Sequence, residues 1–298
     1  MTARIDAHQH YWRFARGDYA WLRPDRADVV PLCRDFLPDD LRATLQTHGV
    51  LQTVLVQATD TEAETEFLLD LAATESSIGG VVGWVDLSSA ESVVTLERWA
   101  RQPKFKGVRP MLQDLPDTEW IAHAPHPEVL RALRRLGLRL DALVKPQHLS
   151  ALLRFLRANP ELPVVVDHAA KPQLALGWDA DWALEWRRRM AEIAALPQVS
   201  CKFSGLLTEA ALPARRDVDA GVAALRPVWE RLLEGFGPGR LLWGSDWPVL
   251  TLAADYARWV DVGDVLIGAL SLPERDRVWR GNAAGFYGLP PAETRAAG

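Results

Sequence analysis

Cysteine is nearly absent from this chain of 298 residues, which has two, Cys33 and Cys201. Far apart and without metal-ligand spacing, they exclude a disulfide scaffold and fit a reducing cytoplasm. No apolar run approaches the ~18 residues of a membrane span. The opening MTARIDAHQH contains no apolar leader segment. An excess of positive charge is also missing. The formal net charge of −5 argues against a general affinity for nucleic acid or anionic membrane. No internal repeat, low-complexity segment or domain boundary interrupts the sequence. No glycine-rich phosphate fingerprint follows the first strand-like run, which weakens a nucleotide-binding open sheet.

What is present is an ordinary globular composition, 48% hydrophobic and 24% charged, in a chain long enough for one large domain. Strand-like apolar runs occur at 5–10, 53–57, 80–86, 105–109, 138–141, 163–168, 199–203 and 240–246. Between them, helical spacing or helix-terminal residues mark 39–49, 61–74, 89–101, 128–136, 146–158, 182–196 and 218–236. Three further helices are predicted at 253–259, 262–269 and 273–284. Strands that are apolar throughout suit a sheet buried on both faces. Their alternation with helices implies parallel βαβ units. The fold class is therefore α/β, and eight units in about 290 residues fit a (β/α)8 TIM barrel. A doubly wound open sheet is its rival. One domain spans 1–298, with insertions at 11–38 and 111–127 and a frayed end at 290–298. The first insertion is too long for an ordinary connection. It reads either as a pocket wall or as an extension packing on a neighbouring subunit.

Such barrels build their sites at the C-terminal ends of the strands. Strand one ends in His8 and His10, which share a face if the strand reaches that far. Strand two ends in Gln57, strand three in Trp84 and Asp86, strand four in Arg109 and strand five in Asp141. Strand six ends in Asp167 and His168, strand seven offers Lys202, and strand eight ends in Asp246. Each alone reads as a helix cap or ion-pair partner; together they are costly to gather without a task. His8, His10 and Asp246 are of the types that hold one divalent metal with an open position. Alternatively, Asp246 is a general base that activates water. His168 can polarise a carbonyl or bind metal, while Arg109 and Lys202 offer positive charge to an oxyanion. Most of the 13 tryptophans read as core. Trp12, Trp84, Trp243 and Trp247 lie near strand ends and could stack on a substrate ring. His48 reads as a helix-terminal surface residue. His123 and His126 lie in the second insertion, either at a surface or entering the pocket.

Asp6-Ala7-His8-Gln9-His10-Tyr11-Trp12, Phe105-Lys106-Gly107-Val108-Arg109, Val166-Asp167-His168-Ala169-Ala170-Lys171-Pro172, Cys201-Lys202-Phe203-Ser204-Gly205-Leu206 and Leu242-Trp243-Gly244-Ser245-Asp246-Trp247-Pro248 resemble the amidohydrolase superfamily. More narrowly they are similar to its branch of metal-dependent TIM-barrel hydrolases that contains sugar-lactone hydrolases. The resemblance covers nearly the whole chain. It implies a distorted (β/α)8 barrel and an Asp246-activated water that opens a sugar lactone, such as an L-fucono- or related aldonolactone, to the aldonic acid. It places the family's paired histidines on His8 and His10, its strand-six histidine on His168 and its strand-eight aspartate on Asp246. Gln57, Asp141, Trp84, Trp12 and Trp247 would meet the substrate, and His168, Lys202 and Arg109 its carbonyl. The sequence departs from the fully metallated pattern. Asp141 ends strand five, and strand four offers Lys106 and Arg109, where a histidine or modified lysine is usual. A zinc-like divalent ion is thus implied as compatible with the reaction and not required by it. A carboxy-lyase and a non-catalytic sugar-acid-binding barrel are the alternatives. The implied partner is a small sugar lactone, with no nucleic acid or membrane, and a homo-oligomer is compatible.

Overall fold

Eight parallel strands pair in chain order in the computed structural model, which describes residues 2–291. They are β1 Arg4–Gln9, β2 Val50–Val56, β3 Ile78–Gly83, β4 Phe105–Val108, β5 Arg139–Ala142, β6 Val164–Val166, β7 Val199–Phe203 and β8 Leu241–Trp243. Beyond the end of β8 the chain closes back on β1. Asp246 N–H donates to His8 O at 2.7 Å, His10 N–H donates to Trp247 O at 2.7 Å, and Gln9 bridges to Trp247 in parallel. The register slips within the β1–β2, β2–β3 and β3–β4 pairs. The result is a single α/β domain with a distorted, nearly closed barrel.

Helices α1 Pro38–Thr47, α2 Glu62–Thr74, α3 Ser92–Trp99, α4 Pro127–Arg135, α5 Leu149–Ala158, α6 Asp181–Ala194 and α7 Val218–Phe236 alternate with the strands. Ile5, Ala7, Val54, Val56, Val82, Val165 and Leu242 fill the barrel interior. Ala283 and Tyr287 of the C-terminal helix, Asn282–Tyr287, pack into the same interior cluster. The larger core lies between strands and helices, and takes Trp99, Trp186, Trp243 and Trp259.

Element boundaries differ from the sequence expectation where the chain leaves the sheet. β2 begins at Val50, because Gly49 takes φ +63° and turns directly out of α1. β3 stops at Gly83, and Trp84 N–H turns to Thr65 Oγ1 at 2.8 Å. β6 stops at Val166, since His168, Ala169, Ala170 and Lys171 all adopt φ between +48° and +60°. β8 stops at Trp243, and Asp246 sits at φ +61°. The segments expected at 253–259 and 262–269 form one helix, α8 Tyr256–Ile267, started by Asp255 accepting from Arg258 N–H at 2.7 Å. The fraying expected at 290–298 falls, from 292 onward, outside the described residues.

The insertion at 11–38 carries its own aromatic cluster. Trp12 is fully buried against Tyr19, Trp21 and Phe36, and its Nε1 donates to Arg34 O at 2.9 Å. Trp21 Nε1 donates to Ala58 O at 2.8 Å, and Thr59 Oγ1 donates to Asp18 O at 2.8 Å. The insertion is thereby pinned to the residues that follow β2, on the site side of the barrel. The second insertion holds a short helix, Trp120–His123.

Candidate active site

The strand-end residues converge in two layers. The outer layer is His10, Arg109, His168 and Asp246, each 2–4% exposed; the inner layer is His8, Asp141, Asp167 and Lys202, each 0% exposed. A molecule entering from the mouth would meet the first set, and the second lies beneath it.

In the outer layer Asp246 Oδ1 lies 3.3 Å from His10 Nε2, 3.7 Å from His8 Nε2 and 3.8 Å from His168 Nε2. Burial opposes ionisation of Asp246, but His168, His10 and His8 outweigh it and hold the carboxyl well below the usual range. It is a carboxylate at neutral pH, with an oxygen free to accept a proton. His168 is pushed down to about 4 by burial, against the pull of Asp246 and Asp167. Its imidazole is therefore neutral, with Nδ1 2.9 Å from Ser204 Oγ. Arg109 donates through Nη2 to Gln57 O, and Gln57 Nε2 donates back to Arg109 O at 2.7 Å. This mutual clasp joins β2 to β4 and holds the guanidinium at the mouth.

The chemistry of the donors tests whether the site suits a metal. His10 Nδ1 lies 2.7 Å from Val56 O. A carbonyl only accepts, so Nδ1 holds the ring hydrogen and Nε2 a bare lone pair. That lone pair faces the Asp246 carboxylate at 3.3 Å and His8 Nε2 at 3.2 Å. Acceptors so close need a cation or a proton between them. Two imidazole nitrogens and a carboxylate oxygen match the borderline donor set of zinc, and the ligand atoms of His8, His10 and Asp246 lie close enough together to hold a divalent ion.

The inner layer is held by Lys202. Its Nζ lies 2.5 Å from Asp141 Oδ2, 3.0 Å from Asp167 Oδ1 and 3.1 Å from His8 Nδ1. Tyr287 donates its hydroxyl to Asp141 Oδ2 at 2.8 Å. Burial raises the Asp141 carboxyl to about 6, with Lys202 pulling it down. Burial also opposes ionisation of Asp167, but Lys202, His8 and His168 keep it well below the ordinary range.

Sequence reasoning passed over several members of this assembly. Asp6 accepts from the backbone of His8 at 3.1 Å and Ser245 at 2.8 Å, and from Tyr256 at 2.9 Å, so it ties β1 to the turn that carries Asp246. Glu64 is buried and accepts from the Ala58 and Thr59 N–H groups at 2.9 and 2.8 Å; burial pushes its carboxyl up to about 8. Tyr287 enters from the C-terminal helix. Asp6, Glu64 and Tyr287 carried no usable signal, because only distance in space separates them from ordinary surface residues. Asp167 was legible at a strand end, and its link to Lys202 was not. Among the expected substrate contacts, Trp12 sits in the cluster of the first insertion and Trp84 is half-buried behind β3. Trp247 packs on Phe36 and Tyr11. Asp86 is a half-buried loop residue whose Oδ1 accepts from Ser88 Oγ. His123 pairs with Asp117 at an exposed surface, and His126 starts α4 by accepting from Glu128 N–H. Neither reaches the cluster. Cavities of about 350 and 570 Å3 open elsewhere, beside Trp279 and beside Lys104, and neither borders it.

Two glycines permit the close approach. A Cβ on Gly244 would stand 2.9 Å from His8 Cβ. On Gly205, at φ +61°, it would stand 2.6 Å from His168 Nδ1 and 2.8 Å from Asp246 Oδ2. Gly205→Ala must therefore displace both side chains. The expected result is a fall in kcat of about 100-fold with the barrel still folded by circular dichroism. An unchanged kcat would mean the two groups need no exact placement.

A family model described as amidohydrolase matches residues 5–289. The chain is 43% identical over 291 residues to an L-fucono-1,5-lactonase of Burkholderia ambifaria, with 96% of each chain covered. It is 38% identical over 303 residues to an L-fucono-1,5-lactonase of Burkholderia multivorans, with 98% of each covered. It also matches the crystal structure of an amidohydrolase from Burkholderia multivorans with bound zinc. The TM-score there is 0.87 at 37% identity, over 97% of this chain and 100% of the other.

Proposed function

This chain belongs to the amidohydrolase family, and from that premise we propose that it hydrolyses a sugar lactone, L-fucono-1,5-lactone or a close relative, to the aldonic acid. The observation that carries this reading is Asp246 at the mouth with imidazole nitrogens of His10, His8 and His168 within 3.8 Å, in a chain that matches an L-fucono-1,5-lactonase over 96% of its length. In the proposed reaction Asp246 takes a proton from a water molecule, and that water attacks the ring carbonyl. The neutral His168 and the clasped Arg109 stabilise the tetrahedral oxyanion. Asp246 returns the proton to the ring oxygen as the C–O bond breaks. The Gln57 side chain, whose Oε1 has no protein partner, would accept from a substrate hydroxyl. Trp247, which packs on Phe36 and Tyr11, would lie against the substrate ring. His8, His10 and Asp246 would hold a divalent ion such as the zinc of the Burkholderia multivorans structure. Bound there, it would supply Lewis-acid polarisation of the carbonyl.

No described helix is long and apolar enough to cross a membrane. With Cys33 and Cys201 unpaired, we place the protein in the reducing cytoplasm.

A pH-indicator assay against sugar 1,4- and 1,5-lactones, with and without chelator, tests the function. Acid release is expected from L-fucono-1,5-lactone, and chelation is expected to leave much of it. Loss of all release on chelation would make the metal obligatory. No release from any lactone, with or without added zinc, would reject the proposal.

A further inference from the structure

Hydrogen bonds run unbroken from the C-terminal helix to the mouth, and their direction can be assigned. Tyr287 O–H donates to Asp141 Oδ2 at 2.8 Å, and Lys202 donates to the same oxygen at 2.5 Å. Lys202 Nζ also lies 3.1 Å from His8 Nδ1. An ammonium group only donates, so His8 Nδ1 accepts and the hydrogen of a neutral His8 ring sits on Nε2. That Nε2 lies 3.2 Å from His10 Nε2, whose lone pair is bare because His10 Nδ1 donates to Val56 O. A hydrogen on His8 Nε2 completes this contact. Arg109 Nη1 stands 3.4 Å from the same Nε2, which as an N–H cannot accept from it, and finds its acceptor in Asp167 Oδ2 at 3.6 Å.

We infer that Lys202 is a positioning residue that holds the ring hydrogen of His8 on Nε2, and thereby sets how tightly the site takes a divalent metal. To ligate a metal through Nε2, His8 must give up that hydrogen. It moves to Nδ1, where the Lys202 N–H now points, and Nδ1–H then donates to Asp167 Oδ1, 3.4 Å away. Lys202 opposes this shift by occupying Nδ1, while Asp167 offers the alternative partner. With the hydrogen on Nε2, His8 is a donor toward the mouth; with it on Nδ1, His8 is a metal ligand. The two arrangements exclude each other, which gives a chain with three converging ligands a built-in reason to bind metal weakly. The inference rests on the His8–His10–Asp246 metal site and not on the identity of the lactone.

Nitrogen NMR of the purified, chelator-treated protein labelled at histidine reads the ring directly. The expected pattern is a protonated Nε2 and an unprotonated Nδ1 for His8. Competition with a chromophoric chelator measures the Zn2+ affinity of the wild type and of Lys202→Met/Asp141→Asn. This pair removes one charge of each sign, so the summed charge of the cluster is kept. The variant is expected to bind Zn2+ on the order of 10- to 100-fold more tightly and, before zinc is added, to show His8 protonated at Nδ1. A wild-type ring protonated at Nδ1, or a folded variant with unchanged or weaker Zn2+ affinity, would overturn the inference. If the variant does not fold, the wild-type ring spectrum decides alone. Neither readout involves lactone turnover, so a failure here is distinct from a failure of the proposed reaction.

Discussion

Replacing Asp246 by asparagine should lower kcat about 100- to 10,000-fold while leaving the fold in place. The substitution keeps the size of the side chain, and its amide N–H can donate to the bare Nε2 of His10, 3.3 Å from Asp246 Oδ1. It removes the negative charge and the ability to hold a proton from water. The backbone should not resist, because Asp246 sits at φ +61°, a region that asparagine adopts as readily as aspartate. Asp246 N–H would still donate to His8 O at 2.7 Å, so barrel closure is preserved. The comparison needs kcat on a lactone that the wild type turns over, together with an unfolding midpoint for both proteins. Full activity in the asparagine variant would remove Asp246 as the base. His168, the neighbouring imidazole, would then be the next candidate.

The largest effect on stability is expected at Lys202. Lys202→Met leaves Asp141 and Asp167 buried without their cation, and breaking a buried pair in this way costs about 3–5 kcal/mol. In a chain of this size the unfolding midpoint should fall by roughly 6–20 °C. Adding Asp141→Asn should recover much of that loss, because it removes one of the stranded charges and keeps an acceptor for Tyr287. Thermal unfolding of the wild type, the single variant and the pair measures both effects. A single variant as stable as the wild type would mean that the two aspartates are not ionised in the folded protein. Their tight geometry around Nζ would then need another explanation.

The barrel was legible because its signal is repeated. Eight apolar runs separated by helical segments leave few arrangements, and a slip of two or three residues at one strand does not change the count. The strand ends were read too long at 80–86, 163–168 and 240–246. Trp84, Val85 and Asp86 continue a strand-like pattern after the hydrogen bonding has ended. At His168 to Lys171, four successive left-handed residues carry none of the glycine that usually announces such a turn. The strand-end rule collected side chains that the fold brings together: His8, His10, His168, Arg109 and Asp246 converge. It could not sort them by depth. Lys202 and Arg109 look equivalent as cations in a sequence, yet Lys202 is enclosed by three acceptors and Arg109 is clasped at the mouth. Depth depends on partners such as Tyr287, 146 residues from Asp141, and a single sequence does not carry that distance. Tryptophans near strand ends were similarly ambiguous. Trp12 lies close to the paired histidines in sequence but buries itself in the aromatic cluster of its own insertion.

Closure of the barrel by residues far apart in the sequence has a consequence for synthesis. The paired histidines leave the ribosome well before the rest of the barrel. The Ser245 N–H that binds Asp6 follows 239 residues later. At roughly 5–20 residues per second the interval is on the order of tens of seconds. Throughout it β1 lacks one of its two neighbours, and Asp141 and Lys202 lack the Tyr287 that joins them at the end. No nascent fragment lacking β8 can hold the assembled site. Premature termination anywhere before β8 should therefore yield an inactive chain rather than a weakened enzyme, and the exposed edge of β1 is the surface for a chaperone to shield until translation finishes.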